Sequence, residues 1–142
     1  MARAAVCIGC LGASLWTAAA PAGEVALEGG RTLHYSIFNS SMIDPGAAAQ
    51  HNLVRGANRG MINIAVLDAE GPVPLALRGS VKNLIGQRSA LDFVEVSEPG
   101  ALYYIAGFIF GHEDLLDFDV EVIPQDGAAH QLQLQQKMYL AP

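Results

Sequence analysis

Beyond residue 30, apolar and polar positions alternate in short runs separated by Gly, Pro, Asn and Asp. That period of two is the signature of half-buried β-strands joined by turns. From Arg31 to Asn39, Leu33, Tyr35 and Ile37 fall on one face, and His34, Ser36 and Phe38 on the other. Met61 to Leu67 brings Ile62, Ile64 and Val66 to one face. Leu75 to Asn83 sets Leu75, Leu77 and Val81 against Arg78, Ser80 and Lys82. Further strands are predicted at Ser89–Ser97, Ala101–Phe110, Asp117–Ile123 and His130–Tyr139. Ala101–Phe110 is apolar on both faces apart from two tyrosine hydroxyls, which predicts a central strand. The one long interruption is Ser40 to Gly60. There Asp44 can cap a helix and Pro45 suits its first position, so one short helical turn is expected near residues 45–51. The pattern predicts an all-β fold, a seven-stranded immunoglobulin-like or fibronectin-like antiparallel sandwich over residues 31–142. A partly open barrel is the alternative.

The N-terminus has a different pattern. Arg3 precedes an uncharged apolar run, Ala4 to Leu15, and Ala20 and Ala22 supply the small side chains that a signal peptidase needs. Residues 1–22 are expected to be a cleaved signal peptide, with the mature chain starting at Gly23. A cut after Ala20 is the second choice. The apolar run is shorter than the roughly 20 residues of a spanning helix, so no membrane span is expected in the mature protein. Ile8-Gly9-Cys10 resembles a lipid-attachment box, but Cys7 stands where leucine is usual and the leader is too short. Residues 23–30 are expected to be a flexible leader, and the destination is the periplasm.

Cleavage changes what holds the protein together. Cys7, Cys10 and Trp16 all leave, so the mature chain has no disulfide, thiolate ligand or cysteine nucleophile. It must rely on its core, and about 120 residues suffice for one. Without Arg3, seven basic side chains face fourteen acidic ones, a net charge of −7. An acidic domain of that balance has no electrostatic footprint for nucleic acid and gains nothing from an anionic membrane surface, so neither partner is expected.

Catalytic signatures are missing from the sequence: it has no Gly-x-Ser-x-Gly elbow, phosphate loop, dinucleotide fingerprint or His-Glu-x-x-His. No catalytic residue and no cofactor is assigned. Asp117, Asp119 and Glu121 align on one strand face near His112, Glu113 and Asp114, but calcium prefers curved loops to flat strands. A solvated outer face is the favoured reading. His34, His51, Met42 and Met61 carry copper-type donors without clustered spacing, so no metal site is assigned. Tyr35, Tyr103, Tyr104 and Tyr139 read as core and rim residues rather than a sugar platform.

Polar residues in and between the strands are more informative. Asn39, Asn83 and Gln87 fall at strand ends or turns, where side chains bond neighbouring backbone. Asn63 lies mid-strand, opposite the apolar face. Together with Arg55 and Arg59, these residues form a candidate polar patch for a periplasmic protein or peptide partner. A small-ligand or metal carrier is the alternative function, with a hydrolase third.

Five blocks occur in order along the chain: His34-Tyr35-Ser36-Ile37-Phe38-Asn39-Ser40, Arg59-Gly60-Met61-Ile62-Asn63-Ile64-Ala65-Val66, Asn83-Leu84-Ile85-Gly86-Gln87, Tyr103-Tyr104-Ile105-Ala106 and Gln136-Lys137-Met138-Tyr139. Together they resemble domain of unknown function family 4426, small exported proteins of Gram-negative bacteria. The resemblance spans residues 31–139. It implies a periplasmic location and an all-β fold, and it implies no activity.

Overall fold

The computed structural model describes residues 22–141. The expected signal peptide, apart from Ala22, lies outside the described residues. Ten strands among them form two antiparallel sheets. The first sheet runs β1 (Ala22–Leu27), β2 (Arg31–Asn39), β3 (Arg59–Asp68), β8 (Ala101–Ile109), β7 (Val94–Glu98), with the two-residue β4 (Gly71–Pro72) against β3. The second runs β10 (His130–Met138), β9 (Asp114–Pro124), β5 (Leu75–Lys82), β6 (Arg88–Leu91). Setting β1 and β4 aside, this is the A-B-E-D and G-F-C-C′ strand order of an immunoglobulin-type sandwich.

Alternation along each strand builds the core between the sheets. Leu33, Ile62, Ile64 and Val66 from the first sheet and Val120 and Val122 from the second are fully buried there. Phe108 of β8 and Phe118 of β9 meet edge to face, with ring centroids 5.0 Å apart. Gly60, directly opposite Phe108 in the β3–β8 ladder, lies under the Phe108 ring, and a Cβ there would collide with it.

Two expectations are corrected. Residues 23–27 are not a flexible leader: they form most of β1, pairing with β2 from Ala22 opposite Ser36 to Leu27 opposite Arg31. Val25 and Leu27 pack on the core, and that burial orders the segment. The expected strand Ser89–Ser97 is two strands in different sheets. β6 pairs with β5, while β7 pairs with β8. Leu91 and Phe93 both face the core, after which the chain has changed sheets and Val96 is buried on the far face of the first.

The excursion between β2 and β3 covers part of that far face. Asp44 caps α1 (Pro45–Gln50), accepting hydrogen bonds from the N–H groups of Gly46 at 3.0 Å and Ala47 at 3.2 Å, with Pro45 at the first position. Fully buried Ser40 closes the excursion: its Oγ accepts from the Gly56 N–H at 2.9 Å and donates to the Gly56 carbonyl at 3.1 Å. His51, at the end of α1, lies 3.9 Å from Glu98 on β7. Ala48, Met61, Val96 and Ile105 are buried on this side without belonging to the central core.

Two outcomes follow from the packing. Phe118→Ala removes the ring that joins the sheets, and urea denaturation should show a loss of about 3–5 kcal/mol. The Tyr104 hydroxyl, buried at the other end of the sandwich, accepts from the Leu75 N–H at 2.9 Å. Burial pushes its pKa up; the Leu75 bond draws it partly back, and neighbouring Glu95 raises it again. The unfolded phenol ionises near pH 10, so this stability is intact below about 10 and is lost as pH rises through the folded value. Thermal unfolding followed from neutral to strongly alkaline pH should show a fall that Tyr104→Phe lessens.

Candidate functional site

Strands β2, β5, β8 and β10 end, and β3, β6 and β9 begin, at one end of the sandwich. Five of the six candidate polar residues lie at this end. Asn39 donates from Nδ2 to the Tyr139 carbonyl at 3.0 Å, tying the end of β2 to the chain leaving β10. Arg55 donates to the Ser41 carbonyl at 3.2 Å inside the excursion. The Arg59 stem packs over Gly56, and its guanidinium makes no ion pair or hydrogen bond among the described residues.

Asn83 and Gln87 do a different job across the sheet. They clasp the β5–β6 turn: Asn83 Nδ2 donates to Gln87 Oε1 at 2.8 Å, and the Gln87 N–H donates to Asn83 Oδ1 at 2.9 Å. Backbone bonds from Asn83 N–H to the Gln87 carbonyl and from Gly86 N–H to the Asn83 carbonyl complete the clasp, with Gly86 at φ 87°. Asn63 stands apart. It lies mid-strand on the far face of the first sheet, opposite Ser36 and Ile105, and its buried Oδ1 accepts no hydrogen bond among the described residues. The six residues are therefore not one patch: the structure brings Asn39, Arg55 and Arg59 to one excursion, Asn83 and Gln87 to a hairpin, and Asn63 to the sheet face.

Beside Asn39 the first sheet has a step. Among the described residues, β1 pairs with β2 only as far as Ala22 opposite Ser36, while β2 runs on to Asn39. At the step a groove of about 490 Å³ opens between β2 and the end of β10, lined by Ile37, Phe38, Met42, Lys137, Met138 and Tyr139. Met42 is 76% exposed. His112 packs edge to face on Tyr139 nearby, at 5.9 Å.

The carboxylate row is engaged by its own sheet. Asp117, Asp119 and Glu121 lie between Lys82, Ser80 and Arg78 of β5 on one side and Gln135, Gln133 and Gln131 of β10 on the other. Arg78 reaches Glu121 at 3.1 Å, Gln135 donates to Asp117 at 2.8 Å, and Gln131 donates to Asp119. The copper-type donors are scattered: His34 sits 3.6 Å from Glu24, His51 beside Glu98, Met61 is buried and Met42 exposed. Among the described residues no group of three or more His, Cys, Asp or Glu is placed to hold a metal ion. The tyrosines point to separate places. Tyr35 packs over Gly23, Tyr104 is buried, and Tyr139 is exposed beyond β10.

Sequence reasoning missed the distribution of exposed apolar side chains. Among the described residues nine large ones are exposed, and seven belong to this end of the sandwich. Met42 and Val54 lie between β2 and β3, Leu84 and Ile85 between β5 and β6, Ile109 at the end of β8, and Tyr139 and Leu140 after β10. An available signal was the apolar pair Leu84-Ile85 set inside an Asn-to-Gln turn.

Residues 27–141 match the profile of a family described as domain of unknown function (DUF4426). The fold is similar to the crystal structure of a DUF4426 family protein from Pseudomonas aeruginosa PAO1. That match has a TM-score of 0.77 and 30% identity, over 86% of this chain and 98% of that one. No curated protein matches the chain in sequence.

The unpartnered Asn63 oxygen generates a test. An unsatisfied buried acceptor costs about 1–3 kcal/mol, and a β-branched apolar residue suits the strand better. Asn63→Val should raise stability by about 1 kcal/mol in urea denaturation; a loss instead would show that the amide is satisfied in solution.

Proposed function

The chain belongs to the DUF4426 family, a membership that names no reaction, and on that premise we propose that it is a non-catalytic interaction domain of the periplasm. The observation that carries this reading is the step at Ile37–Asn39. Among the described residues, β3 pairs with Ile37–Asn39 on one side, and none pairs with them on the other. A strand edge left open is a template for another extended chain. Backbone pairing supplies affinity in that mode, and adjoining pockets supply selectivity.

The partner is a protein or peptide segment in extended conformation. Laid along the step, it meets the backbone of Ile37–Asn39 and places an apolar side chain in the groove between Ile37, Met42 and Met138. Export through a cleaved leader supports the periplasmic setting, since Arg3, the apolar run and Ala20-Pro21-Ala22 have the order such leaders need. A cut after Ala22 starts the mature chain at Gly23, opposite Tyr35, and lengthens the open row by one residue. The arginines beside the groove and the exposed methionine are residue types enriched where proteins meet. Among the described residues no helix is long and apolar enough to cross a membrane.

A photo-crosslinking residue in place of Met42 should give a discrete adduct with another periplasmic protein in living cells. The same residue in place of Leu67, at the opposite end of β3, should give none. Absence of adducts from both, with each variant present at parental level, would sink the reading.

A further inference from the structure

The β5–β6 turn is built to hold two apolar side chains out in solvent. Leu84 and Ile85 are 73% and 79% exposed. A loose loop would let them fold back on the surface, but the four hydrogen bonds between Asn83, Gly86 and Gln87 keep the tip in one shape. The clasp supports neither the core nor the groove, which lies at the β2–β10 side of the molecule.

Charge around the tip is unusual for this protein. Lys82 and Arg88 stand opposite each other at the base of the hairpin, and no acidic residue lies between Leu75 and Leu91. Of the seven basic residues after residue 22, five lie at this end: Arg55, Arg59, Lys82, Arg88 and Lys137. The other two lie elsewhere, Arg31 3.8 Å from Asp68 and Arg78 3.1 Å from Glu121; at this end Arg88 donates to Ser80 Oγ at 3.0 Å, Lys137 lies 3.7 Å from Glu113, and Lys82 is in register with Asp117. Only Asp44, Glu113, Asp114 and Asp117, of fourteen carboxylates, share this end. The net negative charge therefore lies away from the tip, and it orients the molecule with this end toward an anionic surface.

We propose that the β5–β6 turn is a lipid-docking tip. Leu84 and Ile85 enter the interfacial zone of an anionic phospholipid bilayer, and Lys82 and Arg88 meet the headgroup phosphates. A convex tip of two apolar side chains with a basic base suits a soft, anionic surface. It is too small for a protein interface, which needs several hundred Å² per partner. This goes beyond the groove reading and does not depend on it.

The test is co-sedimentation of the protein purified from its own cells, its N-terminus read by mass so that no uncut leader contributes. Vesicles of phosphatidylcholine alone are compared with vesicles containing phosphatidylglycerol. The protein should sediment with the anionic vesicles, less so as salt is raised, and Lys82→Ala should weaken partitioning about fivefold. The double variant Leu84→Ser, Ile85→Ser should lose sedimentation while melting like the parent. Asn83→Ala, which keeps both apolar side chains and undoes the clasp, should weaken it. Failure to sediment with either vesicle overturns the proposal, as does a double variant that sediments like the parent. The Met42 crosslink is unaffected in each case, so the groove reading stands or falls separately.

Discussion

Phe108 and Phe118 carry the constraint on which the rest of the structure depends. Cys7 and Cys10, the only cysteines, both precede Gly23, so no disulfide joins the sheets of residues 22–141. Packing must do so, and these two rings, one from each sheet, meet at 5.0 Å in the edge-to-face geometry that aromatic quadrupoles favour. Phe110 extends the cluster, 6.1 Å from Phe108. Phe108 also dictates its own neighbour, because only a glycine at position 60 leaves room for the ring. With the sheets aligned there, the short β8–β9 connection brings their ends together. The loops that join them therefore share one end of the molecule.

That end differs chemically from the remainder of the molecule. It holds most of the exposed large apolar side chains and most of the basic ones, while the carboxylates concentrate elsewhere. The outer face of the second sheet is the opposite case. There Arg78 pairs with Glu121, and Gln135 and Gln131 donate to Asp117 and Asp119. The acidic row is thereby a structural ladder of cross-strand pairs rather than a set of open ligands.

Strand identities were legible from alternation alone. Arg31–Asn39 is a strand with the boundaries expected, and Asp44 and Pro45 start a helix where capping chemistry places one. Alternation survives because each strand buries one face. The same reasoning missed the crossing between β6 and β7, where no glycine or proline marks the change of sheet. Its trace is a slip in phase: Leu91 and Phe93 face the core, and Val96, not Glu95, is the next residue buried. β1 was missed because its small residues and glycine resemble a leader, and only pairing with β2 makes it a strand.

The six candidate polar residues show the same division. Asn83 accepts from the nearby Gln87 backbone, as the sequence suggested, whereas Asn39 bonds the carbonyl of Tyr139, 100 residues on, which no local pattern records. That the Asn63 oxygen is buried without a partner on the sheet face was not legible, since burial there depends on what packs over that face. The sequence by itself determined the all-β class, the strand faces, the capped turn and the lack of a disulfide after residue 22. These follow from local periodicity and residue chemistry. Only the tertiary structure decided which loops share an end, how β1 pairs with β2, and which apolar side chains remain in water. Those depend on contacts between residues distant in the chain, which local pattern does not record.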